Sequence, residues 1–489
     1  MTFPFLSLSI FIPLLAGLII LLLPARFKSW VRGIALGAAA ITLLLSIIIY
    51  ARYDTAAGGY QFIEHLPWVP ALGISYYVGV DGISAPLVLL AGIVVFCGVL
   101  VSWKVEERIN EFFAFLLFLG TSVLGVFASL DLFQLFFFFE LAVFPKYLMI
   151  IIWGSPKTRE YGGMKLTLYL FLGSVIALVG ALAIYFGSGL QTFDMLALEK
   201  AGFATEFQRL WFPFVFLGFG ILGGIFPFHS WAPDGHVAAP TAISMLLAGV
   251  EMKVGVFSAL RVGIMLLPDG AQMWAPLILI LGTINVVYGA FIALIQTDFK
   301  YVIGFSSVSH MGLVLIGMAT LSPQGLLGAG MQMFSHGVMT ALFFAVVGMV
   351  YDRAHTREIS QLGGLFKKMP WVAMGFIVGG LVSMGMPGFS GFVAEYPIFM
   401  GAWRTAPLVA VVAVLGILIT AAYILLVVRR VFFGSLPEAL AAVSDISWRD
   451  KLVIGLLSLT MIALGWFPGL MTPLLVQGVN YILALVGGA

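Results

Sequence analysis

Apolar runs of about 18 to 25 residues recur along the whole chain, each long enough to cross a hydrocarbon core of roughly 30 Å as a helix. In hydrocarbon every backbone amide must find its partner within the protein, so such runs fold as helices and little else. Fourteen spans are expected: 3–23, 31–50, 79–103, 112–129, 131–153, 163–187, 208–228, 240–264, 272–295, 301–320, 325–351, 370–404, 407–430 and 452–475, followed by a short apolar tail. Composition agrees. The 489 residues are 62% hydrophobic and 9% charged, with a mean hydropathy of +1.11, whereas soluble domains carry roughly 25% charged residues. The expected fold is an all-α polytopic membrane protein, and a soluble enzyme is excluded.

The net charge of +2 comes from dispersed basic residues, which leaves no nucleic-acid surface. Cys97 is the single cysteine, so the chain can build neither an internal disulfide nor a cysteine-based metal or iron-sulfur site. The first apolar run lacks a basic leader and a small-residue cleavage site, and it is expected to be a retained helix. Across alternate loops, 17 of the 24 Lys and Arg residues fall on one side and five on the other, Arg261 among the five, with Lys146 and Lys253 inside spans. Basic loops stay cytoplasmic, so both termini are expected on the outer, periplasmic side of a cell inner membrane.

Two stretches break the apolar pattern. FPFHSWAPDGHVAAP (Phe226 to Pro240) separates spans seven and eight, and MGMPGFSGF (Met384 to Phe392) falls inside span twelve. Proline removes a backbone donor and glycine loosens a helix, which at membrane depth is tolerated only against protein or water. Pro227, His229, His236, Pro387 and Gly388 mark these two loops. The breaks are about 160 residues apart, the spacing of two five-helix units. Five is odd, so the second unit must be inverted relative to the first, as in many secondary transporters. The expected organisation is N-terminal helices over 1–111, a first unit over 112–265, an inverted second unit over 272–433, and a C-terminal helix and tail over 434–489.

Inside the apolar runs lie Glu140, Lys146, Glu251, Lys253 and Glu395. An unpaired charge there costs a spanning helix several kcal/mol, and such residues usually mark an ion path. Lys146 follows Glu140 by six residues, which in a regular helix means about 9 Å of rise and about 240° of rotation. The two should not face each other, although Pro145 between them can re-aim the helix. Glu251 and Lys253, about 200° apart, should point to opposite sides of one helix.

GVDGISAPLVLL (Gly79 to Leu90), FFFFELAVFPKYLMIIIWG (Phe136 to Gly154), PFHSWAPDGHVAAPTAISMLLAGVEMKVG (Pro227 to Gly255), QTDFKYVIGFSSVSHMG (Gln296 to Gly312) and MPGFSGFVAE (Met386 to Glu395) occur in this order. Together they resemble the chain 4 (subunit M) family of the proton-translocating NADH-quinone oxidoreductase, respiratory complex I. Singly, each could belong to the related cation/proton antiporter subunits. The resemblance implies fourteen helices in two inverted five-helix repeats, with helices seven and twelve broken.

It further implies that protons move along a hydrated mid-membrane line of Glu140, Lys253 and Glu395, joined by His310 and His336. Glu140 would act as the span-five glutamate that pairs with a lysine, Lys253 as the span-eight proton carrier and Glu395 as the group on the far side. The bland alternatives are an interhelix ion pair, a buried counter-charge and a helix-capping carboxylate. His229 and His236 read as fixing the broken loop; the prolines between them argue against a metal site, and none is expected. Lys165, Asp298 and Lys300 read as interfacial charges.

One position departs from the family. Where a span-seven lysine usually precedes PFH by five residues, this chain has Leu222. Lys146 could replace it, pairing with Glu251 or Glu140; alternatively Lys146 reaches an interface and the chain is a structural subunit that has lost pumping. The resemblance places quinone, NADH, FMN and iron-sulfur clusters in partner subunits, with none in this chain, and implies other membrane subunits and the lipid bilayer as partners. A subunit of a multi-subunit sodium/proton antiporter is the alternative function.

Overall fold

In the computed structural model, which describes residues 3–24 and 26–487, the apolar runs form helices, eleven of them long and apolar enough to cross a membrane among the described residues. In order these are α1 (Phe5–Leu22), α2 (Lys28–Arg52), α3 (Ser84–Lys104), α4 (Ile109–Ala128), α5 (Leu132–Trp153) and α6 (Arg159–Ser188). The chain continues through α7 (Thr205–Leu222), α8 (Trp231–Ala238), α9 (Thr241–Ile264), α10 (Pro268–Ile295), α11 (Phe299–Ala319) and α12 (Pro323–Ala354). It closes with α13 (Pro370–Ser383), α14 (Ser390–Thr405), α15 (Pro407–Phe432), α16 (Trp448–Trp466) and α17 (Thr472–Gly487). Taking α7 with α8 and α13 with α14 as broken spans gives fourteen, and the apolar tail is the further helix α17.

One expectation needs correction and another gains a detail. Break one lies inside span seven, at residues 223–230, and not between spans seven and eight. WAPDGHVA forms the second half-helix because Pro233 sits in its first turn, where a missing amide costs no hydrogen bond. The all-α class holds, with one small addition. A two-stranded antiparallel hairpin, Gln61–Val69 with Ile74–Val80, precedes α3. ISYYVGV is rich in β-branched and aromatic residues, and its valines run on into the apolar stretch that begins span three, which hides the boundary. Glu64 of this hairpin accepts the backbone amides of Leu6 (3.0 Å) and Ser7 (3.3 Å), satisfying donors that the start of α1 leaves unpaired.

The apolar 18-residue stretches of α9 and α12 are buried throughout, whereas only a third of that of α15 is buried. α12 packs against α3, α9, α11, both halves of broken span twelve, α16 and α17. Whatever polar groups α9 and α12 carry are therefore held away from lipid, and these two helices supply Glu251, Lys253 and His336 to the site.

Candidate functional site: a buried line of ionisable side chains

Span five is not one regular helix. It is interrupted at Ala142, between Leu132–Leu141 and Val143–Trp153, ahead of Pro145. The interruption turns Lys146 into the protein, where its side chain is 1% exposed and forms an ion pair with Glu251, also 1% exposed. Glu251 ends a π turn, Leu247–Glu251, in α9. Such a turn adds a residue to the ring and shifts the face that follows. Glu251 thus looks toward span five while Lys253, two residues on, looks the other way.

Lys253 is fully buried. Its Nζ donates to the carbonyl of Ala248 at 2.5 Å and lies 2.7 Å from Nδ1 of His336. An ammonium only donates, so with Lys253 protonated His336 Nδ1 is the acceptor and the ring proton sits on Nε2. The rings of His336 and His310 follow with centroids 5.4 Å apart. His310 then contacts Ser383 through Nε2 at 2.9 Å, and Gln332 and Glu395 through Nδ1 at 3.3 and 3.4 Å. Ser383 ends α13 and Glu395 lies in α14. Break two therefore delivers one group from each of its halves to the same imidazole.

Glu395 does not cap its half-helix. No side chain bonds the amides at the start of α14, and the carboxylate folds back over the break instead. A Cβ at Gly385, whose φ is +63°, would stand 2.5 Å from Glu395 Oε2. Glycine meets both demands there, the left-handed backbone and the close approach. Pro387 and Gly388 turn the rest of this loop, with Gly388 at φ +90°.

Break one is closed by a residue that sequence reasoning passed over. Asn285, fully buried in α10, accepts the amide of Phe226 through Oδ1 and donates to the carbonyl of Gly224 through Nδ2, both at 2.7 Å. The indole of Trp231 donates to the carbonyl of Ile221 at 2.9 Å. These bonds satisfy the groups that the break around Pro227 exposes. His229 stacks on Phe226 and meets Tyr288 edge-on, with ring centroids 5.5 and 5.0 Å away. His236 lies in α8 and not in the loop; it is fully buried, its ring centroid 5.0 Å from that of Phe344. The signal for Asn285, a lone amide within ILILGTINVVYGA, was present but weak.

Glu140 departs from expectation. It is half-buried, its enclosed Oε1 has no protein hydrogen-bond partner, and it takes no part in the Lys146 ion pair. The charges read as interfacial form their own contacts. Lys165 reaches Asp234 at 2.7 Å, Asp298 caps α11 and meets Arg357 at 3.3 Å, and Lys300 donates to the carbonyl of Ala239 at 2.6 Å. Lys300 and Arg357 also line a cavity of about 520 Å³, together with Lys104, Thr241, Asp352 and His355.

The sequence matches the family described as NADH:quinone oxidoreductase/Mrp antiporter, transmembrane, over residues 129–420. It is 38% identical over 441 residues to NAD(P)H-quinone oxidoreductase chain 4-2 of a Synechocystis strain, covering 88% of this chain and 79% of that one. To NAD(P)H-quinone oxidoreductase chain 4 of Gloeobacter violaceus it is 36% identical over 482 residues, covering 96% and 91%. Among solved structures it is similar to a chain of respiratory complex I from Thermus thermophilus, with a TM-score of 0.91, 29% identity and coverage of 99% and 100%. It also shares its fold with a chain of the Mrp complex from a Dietzia strain, at a TM-score of 0.88 and 20% identity over the full length of both.

Proposed function

The chain belongs to the NADH:quinone oxidoreductase/Mrp antiporter transmembrane family, and on that footing we propose that it is a proton-translocating membrane subunit of a complex I-type quinone oxidoreductase. Its donor is NAD(P)H or another reductant, and oxidation of the donor and reduction of quinone take place in partner subunits. The basic loop face is cytoplasmic in an inner membrane, both termini lie outside, and the five-helix units over 112–265 and 272–433 are inverted repeats. The carrying observation is the buried run Lys253, His336, His310, Glu395, drawn from four different helices.

In this reading Lys253 passes a proton to His336, His310 receives it, and Glu395 takes it on beside break two. Water reaching the two breaks bridges the ring-to-ring step. Lys146 and Glu251 supply the switch. Two unit charges attract by roughly 4 kcal/mol at about 4 Å in an effective dielectric of about 20. Parting this pair leaves Glu251 uncompensated two residues from Lys253 and so changes the field that Lys253 feels. The pair stands in for the one the family makes with a span-seven lysine, where this chain has Leu222, which supports retained pumping over a purely structural role. The relatives at 36–38% identity are quinone oxidoreductase chains, whereas the Mrp likeness rests on fold, which favours the redox-driven reading over an antiporter.

The test uses the whole complex in liposomes, with quinone reduction and proton uptake followed together. Lys253→Met should abolish uptake assigned to this subunit while electron transfer persists, Lys146→Met should do the same, and Lys146→Arg should retain part. An undiminished proton yield in both methionine variants would end the proposal.

A further inference from the structure

On the opposite face of the molecule from the cavity that Lys300 lines, a second buried cluster of charges is assembled from five separated segments. Arg261, 3% exposed, lies in the second π turn of α9, Ala259–Ile264. Its guanidinium meets Asp81 Oδ1 at 2.7 Å and the hydroxyl of Tyr60 at 2.8 Å, and stands 5.0 Å from the ring centroid of Phe257. The ring of Tyr60 packs edge-on against Tyr481, centroids 5.6 Å apart, and the Tyr481 hydroxyl donates to Glu199 Oε2 at 2.5 Å. Asp81 is itself held by the amides of Ile83 (3.0 Å) and Ser84 (2.8 Å) at the start of α3.

The position of this cluster is what gives it a use. Arg261 follows Lys253 by eight residues on one helix, about 12 Å further toward the sparsely charged face. This side chain is buried on the same helix as the proposed proton carrier, and a guanidinium never gives up its own proton. A guanidinium held in place cannot relay a proton, because it neither releases nor accepts one, and arginine excludes protons from water-selective pores. We propose that Arg261, locked by Asp81 and Tyr60, is the barrier that keeps protons on the outer face from running back to Lys253. Asp81 holds the guanidinium in line and Tyr60 covers it, with Tyr481 and Glu199 bracing Tyr60 from outside. This rests on the proposed role of Lys253 as a carrier.

The experiment measures passive proton flux in liposomes containing the whole complex, without electron donor, under an imposed potassium diffusion potential. Arg261→Met should raise the flux by about tenfold or more, which corresponds to a barrier lowered by about 1.4 kcal/mol. Arg261→Lys should restore most of the tightness. Adding Lys253→Met to Arg261→Met should suppress the leak, because the leak runs through Lys253. An assembled Arg261→Met complex as tight as the unmodified one overturns the barrier, and so does a leak indifferent to Lys253→Met. Asp81→Asn is the second variant, expected to leak while leaving the arginine present. If neither Arg261→Met nor Asp81→Asn assembles, the cluster is a structural clamp and the barrier is again overturned. Pumping that survives Lys253→Met in the otherwise unmodified chain sinks the carrier reading instead, so the two failures are distinguishable.

Discussion

Lys146 and Glu251 show what a buried pair costs and what it can do. Removing one partner of a buried ion pair typically costs about 3–5 kcal/mol, because the other charge is left stranded, whereas replacing both by apolar residues of similar size is often neutral. Glu251→Gln should therefore lower the thermal stability of the solubilised complex, and Lys146→Met with Glu251→Met should recover it. Proton yield per electron should stay low in both. A double variant that regained stability and pumping together would make the pair structural only. Both residues were visible in the sequence as charges in apolar runs, since few other residues interrupt those runs. That Glu251 and not Glu140 would be the partner was not visible, because it depends on the interruption at Ala142 and on a π turn that hydropathy does not encode.

At the scale of elements, the two breaks are built differently. Break one borrows Asn285 from α10 to satisfy its backbone, while break two closes on itself, with the amides of Gly385 and Met386 returning to Val382 and Leu381 at 3.1 and 3.0 Å. Gly385 is the position where backbone and carboxylate compete for space. Gly385→Ala costs about 1–2 kcal/mol for the left-handed conformation alone, and its methyl group would displace Glu395 from beside His310. The expected result is a reduced proton yield with quinone reduction retained; an unaltered yield would show that Glu395 does not need this placement. Proline and glycine announced both breaks from sequence. The extent of break one was misjudged because proline in a first turn and proline in a loop look alike, and the hairpin was missed because its last strand merges with an apolar run.

For the molecule as a whole, Asn285 has a further meaning. It belongs to the second proposed unit and repairs the break of the first, so the two units share a load-carrying bond and do not form independent modules. Outside the membrane, Glu106 joins the start of α2 to the loop before α4 through Lys28, at 2.5 Å, and Arg32. Hydrogen bonds from Lys28 and Arg32 hold this exposed carboxyl below its ordinary range. A depressed carboxylate contributes above its unfolded value, near 4.3, and loses that contribution as pH falls through the folded value. Hydrogen-exchange protection, taken relative to the intrinsic rate at each pH, should be constant from about pH 7 to pH 5 in the segments around residues 28–32 and 105–108 and fall only in stronger acid. A loss of protection already near pH 6 would assign the contact to another group.

The grip of Glu64 on the amides of Leu6 and Ser7 sets an order of events during biosynthesis. The first helix leaves the ribosome more than fifty residues ahead of the carboxylate that finishes its upper end. Until that carboxylate has been made, the amides at the start of the leading segment lack this partner, and they gain it only once the hairpin has formed.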